Sequence, residues 1–272
     1  MKANSPLVSI ITPSYNQSHF LEGTILSVIS QDYENLEYIV VDGGSTDGSV
    51  EIIREYADRV SWWVSEPDQG QTDAINKGFE RANGEILAWL NSDDTYLPGA
   101  ISEAVSYLQN HPDTGMVYGD ANLIDEDGRV FGKFPARQTD YSRLRRGYDH
   151  IPQQASFFRA KLWQQVGPLD PSFSFAMDYD QWVRLAKITS LEYCPRLWAK
   201  FRLHGDAKSV SEDDRCGPEL LRVHRREGGG LLSWMVVKAK IRPLVYAWIP
   251  LRFRLRLRRA LILALVLRSG ML

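Results

Sequence analysis

Residues 38–49 read YIVVDGGSTDGS, and this stretch decides the fold. Tyr38–Val41 is an unbroken aromatic and β-branched run, the pattern of a short strand buried on both faces. Asp42 ends the run. Glycines and short polar side chains follow, a composition that permits a tight turn, and Ser49 onward resumes helical spacing. Strand, polar turn and helix in that order are the repeating step of a parallel α/β sheet.

The same step recurs on both sides. Upstream, Leu7–Thr12 (LVSIIT) is a β-branched run closed by Pro13. Apolar residues at helical spacing follow within His19–Gln31, at Phe20, Ile25, Leu26 and Ile29. Downstream, Trp62–Ser65 reads as a third strand and Ile75–Arg81 as part of a helix. Ile86–Leu90 (ILAWL) is a fourth strand running straight into Asn91-Ser92-Asp93-Asp94. The expected fold is α/β: a mostly parallel central sheet flanked by helices. Ligands collect at the carboxyl ends of such strands, so the polar clusters after the first, second and fourth strands should converge.

Beyond residue 115 the pattern changes. Met116–Phe134 reads as a hairpin with Asp127-Gly128 at its turn. Residues 135–160 read as irregular, rich in Arg, Tyr and Gln, as an acceptor-side loop would be. Phe175–Lys187 reads as a helix with Asp178 near its start. Gly228-Gly229-Gly230 is the clearest linker, which divides the chain into a catalytic domain (1–227) and a tail (228–272).

Charge is unevenly spread over these two parts. The chain has 32 Lys and Arg against 34 Asp and Glu; nine of the basic residues and none of the acidic ones lie in 228–272. The acidic body argues against general nucleic-acid binding. The tail is broken by Pro250, and its longest apolar run, Ala260–Leu267, is too short to cross a bilayer, which takes roughly 20 residues. Apolar residues mixed with Arg suit an interfacial helix on an anionic membrane surface; a C-terminal helix packed on the domain is the alternative. Cys194 and Cys216 form no metal-ligand spacing, and MKANSPLVSIITPSYNQ shows no secretory signal. A cytoplasmic protein, peripheral at the inner membrane face, is expected.

Several residues carry chemistry of their own. A leaving nucleotide diphosphate is stabilised by a hard divalent cation, which takes carboxylate and phosphate oxygens. The Asn91–Asp94 cluster offers such oxygens, although Asp-rich turns and N-caps look the same. Asp42 could accept hydrogen bonds from a base or ribose, Tyr15 could stack on a base, and Asp47 reads as a helix cap.

In combination, SIITPSYNQ (9–17), VVDGGSTDGS (40–49), SEPDQGQTDAINKGFERANGEILAWLNSDD (65–94) and AMDYDQWVRLAK (176–187) resemble the family 2 glycosyltransferases over about residues 6 to 210. That resemblance implies the GT-A (Rossmann-like) fold and inverting transfer from a nucleotide-diphosphate sugar, commonly a UDP-sugar. It implies that Thr12, Pro13, Tyr15 and Asp42, with Asn16 and Ser45, hold the nucleoside. Asp73, Asn76 and Lys77 border the nucleotide, with Lys77 standing in for an Arg that relatives carry where this chain has Ile75. The Asp-x-Asp metal motif becomes Asn91-Ser92-Asp93. Asp93 is then the first ligand for Mn2+ or Mg2+ and Asp94 the second choice, with His204 completing the metal or diphosphate site. Lys208 and Ser209 match a flap over the phosphates. Asp178 matches the general base, Met177 replaces the usual first acid, and Asp180 caps or orients.

His150, Gln153 and Gln154, with Trp182 beside the base, are candidates for the acceptor, a glycan or lipid-linked glycan. The Gln-x-x-Arg-Trp motif of processive synthases is absent, since Gln181-Trp182-Val183-Arg184 has another order. A catalytically impaired sugar-nucleotide-binding or scaffold protein is the alternative. A nucleotidyltransferase would need a Gly-rich basic loop, and a dinucleotide-binding dehydrogenase a Gly-x-Gly-x-x-Gly, after the first strand; neither is there.

Overall fold

Strand and helix alternate through the first half of the chain, as the hydrophobic runs predict. The computed structural model describes residues 5–147, 149–205 and 213–230. The order is β1 (Val8–Ser14), α1 (Ser18–Ile29), β2 (Leu36–Asp42), α2 (Ser49–Glu55), β3 (Trp62–Ser65), α3 (Gln71–Arg81) and β4 (Ile86–Trp89). Next come β5 (Thr95–Tyr96), α4 (Ala100–Asn110), β6 (Thr114–Ile124), β7 (Val130–Lys133) and α5 (Tyr141–Leu144). A 3-10 turn (Gln153–Ala155), β8 (Ser156–Arg159), α6 (Ala160–Val166), α7 (Met177–Ala186), β9 (Ser190–Arg202) and α8 (Asp213–Arg226) complete the described part.

The strands form one sheet in the order β3-β2-β1-β4-β8-β6-β9-β5, with β7 paired to β6. The first four are parallel, and their register sets the site: Ser14 lies beside Asp42, and Asp42 beside Ser65. Three strands thus end on one line. β8 enters antiparallel between β4 and β6, β9 runs parallel to β6, and β5 closes the far edge antiparallel to β9.

Alternate residues of each strand feed two cores. Val8, Ile10, Val40 and Ala88 pack with Leu21, Ile25 and Val28 of α1 and with Ile101 of α4. Ile11, Ile39, Val41 and Trp89 face the other way, onto Ile75 and Phe79 of α3 and Trp182 of α7. This period of two on both faces is what a helix-sheet-helix sandwich requires. Gly78 brings α3 close to β1: a Cβ there would stand 2.5 Å from Ile11 Cγ2.

One reading needs correction. Residues 135–160 are not simply irregular, because Ser156–Arg159 is a buried strand in the middle of the sheet. The sheet is mostly parallel, as expected, with β5, β7 and β8 running antiparallel to their neighbours. The expected hairpin is present, with Gly128 at φ 80° in its turn. Lys208, Ser209 and the tail beyond residue 230 lie outside the described residues. Among those described, no helix is long and apolar enough to cross a membrane.

Candidate active site

The loops after β1 and β2 are laced together around Asp42. Its carboxylate is fully buried and accepts from Gly44 N (3.1 Å), Ser45 N (2.9 Å), Ser65 Oγ (2.7 Å) and Ser45 Oγ (2.5 Å). Gly44 turns with φ 83°, a conformation that disfavours any side chain. Ser45 Oγ in turn accepts from Asn16 N (2.8 Å), and Asn16 Oδ1 accepts from Thr46 N (2.9 Å). Asn16 is held at φ 50°, a left-handed backbone stabilised by these bonds. Asp47 reaches the first residues of both adjacent helices, accepting from Ser18 N (2.8 Å) and Ser49 N (3.1 Å). It therefore caps α1 as well as α2; burial, the largest single effect, raises its pKa, but the Ser49 hydroxyl and the Ser18 and Ser49 N–H groups together bring it below the ordinary value.

Thr12 is buried under Tyr38, whose hydroxyl donates to Thr12 Oγ1 (3.0 Å), and Pro13 is buried beside it. Tyr15, by contrast, is 62% exposed and presents a free ring above the loop pair. Ser14 Oγ, buried at the end of β1 next to Asp42, has no protein partner. Sequence reasoning passed over it, because a lone serine carries no signal.

A second group comes from the β3–α3 connection. Asp68 accepts from Gly70 N (2.8 Å) and presses on the β2–α2 turn, where a Cβ on Gly43 would sit 2.8 Å from its Oδ2. Burial raises its pKa, aided by the charges of Asp73 and Asp42 and opposed by Gly70 N–H and Lys77. It too was missed in sequence, though it stands between Pro67 and Gly70 at a strand end. Asp73 accepts from Gln69 N (3.1 Å), and Lys77 pairs with Glu66, which raises the lysine pKa. Asn76 bonds through both ends of its amide to the Leu169 backbone (2.8 and 2.9 Å), so it ties α3 to the segment before α7.

The Asn91–Asp94 turn is gripped from β9. Arg202 donates its backbone N–H to Asp94 Oδ1 (2.8 Å) and its Nε to the Asp93 carbonyl (2.8 Å). Ser92 and Asp94 both receive the Thr24 hydroxyl on their carbonyls. Asp93 Oδ2 faces His204 Nε2 at 3.0 Å. Asp94 is fully buried, and its carboxyl is pushed well above the usual range by burial, then by Asp93. Arg202 N–H and Gln154 hold it in place. Asp94, the second-choice metal ligand of the sequence, is thus held beneath the turn by Arg202 and Gln154.

Asn91 Oδ1 accepts from Gln71 Nε2 (2.7 Å), and its amide reaches Gln153 Oε1 (3.4 Å). Among the described residues no three His, Cys, Asp or Glu converge on a common point. Asp93 and His204 face each other and could hold a divalent cation, as Mg2+ sites take one or two carboxylates and complete their shell with phosphate oxygens and water.

Asp178 sits in the first turn of α7, where its Oδ1 accepts from Tyr179 N (2.7 Å). Burial pushes its carboxyl up to about 6, with Glu219 adding to the rise and the local N–H groups opposing it. Asp149, unremarked in the sequence, is pushed up to about 8 by burial and by Asp178. His150 is half-buried; desolvation and Arg137 lower its pKa, and its Nδ1 has no partner.

The remaining acceptor candidates turn inward. Trp182 is fully buried and stacks on Trp89 (centroids 5.4 Å apart, 22° between planes). Gln153 donates to the Trp89 carbonyl (2.6 Å), and Gln154 is buried against Asp94. These three brace the site from below, because the strand β8 draws residues 153–156 into the sheet. Asp180 is fully buried and binds Arg184 (2.9 Å) on its own helix and Arg226 (2.5 Å) on α8.

The sequence matches the family model described as Glycosyl transferase family 2 over residues 9–177. It is 30% identical over 221 residues to an uncharacterised glycosyltransferase of Rickettsia typhi, covering 78% of this chain and 69% of that one. It is 34% identical over 189 residues to an uncharacterised glycosyltransferase of Mycobacterium tuberculosis, covering 68% and 71%. The fold is similar to S. aureus TarS 1-349 in complex with UDP-GlcNAc (TM-score 0.67, 17% identity, 84% of this chain and 67% of that one). It is also similar to the Pyrobaculum calidifontis mannosyltransferase PcManGT in complex with GDP-Man and Mn2+ (TM-score 0.62, 20% identity, 99% and 77%).

Proposed function

The chain belongs to glycosyl transferase family 2, and on that premise we propose that it is an inverting, non-processive transferase. It moves one sugar from a nucleotide-diphosphate sugar, a UDP-sugar first among the candidates, to a hydroxyl of a glycan or lipid-linked glycan. The observation that carries this reading is Asp178, a carboxylate raised to about 6 at the start of a buried helix. A base with that pKa is ionised at neutral pH yet strong enough to take a proton from an attacking hydroxyl.

Transfer is a single displacement. Asp178 accepts the acceptor hydroxyl's proton as that oxygen bonds to the anomeric carbon. The bond from this carbon to the diphosphate oxygen breaks, and its electron pair leaves with the phosphate. Attack opposite the leaving group inverts the anomeric centre. Asp42 fixes the turn that presents Ser45 and Asn16 to the nucleoside, and Tyr15 offers an exposed ring for the base. Mn2+ or Mg2+ held by Asp93 and His204 supplies, when bound, positive charge against the departing diphosphate. Asp178→Asn should lower turnover ~10²–10⁴-fold with the donor KM little changed; near-normal turnover in the folded variant would refute the assignment.

One feature favours a second reading, donor binding without turnover. Asn91 stands at an acidic motif position, and its amide is engaged by Gln71 and Gln153. Calorimetry that detects UDP binding, in a protein that consumes no nucleotide sugar, would select it. For residues 228–272 we assign a role at the anionic inner membrane face; nine basic and no acidic residues in an apolar segment support it.

A further inference from the structure

The start of α7 has no side-chain cap of its own: its N-cap residue is Ala176. A helix start leaves backbone N–H groups without intrahelical partners, and an alanine side chain cannot receive them. The segment leading into the helix is held instead from further along the chain, and the N–H of Ala176 itself by a residue 43 positions on. Glu219, on α8, accepts from Ser174 N (2.9 and 3.1 Å), Phe175 N (2.8 Å) and Ala176 N (2.9 Å). Three consecutive N–H groups close on one carboxylate, immediately before the helix that opens Met177-Asp178.

We propose that Glu219 is a positioning residue for the transfer reaction, clamping from α8 the backbone that delivers Asp178. The inference rests on the reading of Asp178 as the base. It gives α8 a second tie to the catalytic helix, beside the Arg226–Asp180 pair (2.5 Å). It also means that the base is set by a residue beyond 177, where the family model ends.

Electrostatics support the geometry. Glu219, from α8, is the carboxyl that raises Asp178, and Asp178 in turn raises Asp149 in the loop after α5. Asp149, raised to about 8, is still protonated where Asp178 titrates near 6. The negative charge felt by Asp178 in that range is therefore Glu219's. Burial is the first cause of the rise in Asp178, and Glu219's field adds to it against the N–H groups around the carboxyl.

Carboxyl-carbon NMR titration of the full chain tests this without requiring a known acceptor, with the Asp178 signal identified by its loss in Asp178→Asn. Glu219→Gln keeps the shape and removes the charge. The titration of Asp178 should then shift down by on the order of half a unit to one unit. Amide exchange at 174–176 should accelerate, and Glu219→Asp should restore part of both. Should Glu219→Gln not fold, Glu219→Asp is read alone, and a partial downward shift with faster exchange is expected. An Asp178 titration unmoved in the folded variant, with only melting temperature lowered, overturns the proposal and leaves a plain structural cap. The base reading fails separately, if Asp178→Asn turns over donor normally.

Discussion

Asp178 and Asp149 form a carboxyl pair whose two members titrate apart, near 6 and near 8. The base we propose works only when ionised, so turnover should fall as pH drops through about 6, a rate profile checks this, and Asp149→Asn should keep that limb. Stability runs the other way. Both carboxyls hold a proton in the folded chain over a range where the unfolded chain has lost it. Their contribution is complete below the unfolded value of 3.8 and is lost as pH rises through the folded values. Asp149→Asn should therefore flatten the decline between pH 5 and 8, where one proton accounts for up to about 1.4 kcal/mol per pH unit. Denaturant midpoints measured across that range decide it. In the sequence Asp178 stood out as the candidate base through its place before Gln181-Trp182. Asp149, Asp68 and Glu219 were not, since each acts through partners distant in the chain. Asp93 and Asp94 look alike in sequence for a related reason, and only the fold separates them, one toward His204 and one toward Arg202.

At the scale of elements, β1 to β4 and the helices between them were readable because each strand is a continuous apolar run bounded by a polar turn. β8 was not: four residues, SFFR, follow a Gln-rich stretch and offer no period to detect. Burial in the sheet, paired with β4 and β6, makes them a strand. The tight packing of α3 on β1 yields its own expectation. Gly78→Ala sets a Cβ 2.5 Å from Ile11 Cγ2 and 2.8 Å from Cγ1, within a core that cannot yield freely. Overpacking of this kind costs about 1–3 kcal/mol, visible as a lower unfolding midpoint. An unchanged midpoint would mean that α3 can shift on the sheet.

Across the whole molecule, polar loops at the ends of β1, β2 and β4 gather on one edge because the parallel register brings those ends into line. The basic segment after Gly230 is the part whose role was read from composition alone. Deleting it should abolish sedimentation with anionic phosphatidylglycerol vesicles and leave donor hydrolysis in solution intact. Retained sedimentation would move the membrane contact onto the folded domain. The most direct trial of the central claim is proton NMR of the sugar first released from α-linked nucleotide sugars, UDP-GlcNAc and GDP-mannose included, with Mn2+ or Mg2+ present. Inverting transfer to water predicts that the β-anomer appears first, and that Asp178→Asn yields neither anomer above background. Initial release of the α-anomer, or the same β-product at the same rate from Asp178→Asn, would contradict it.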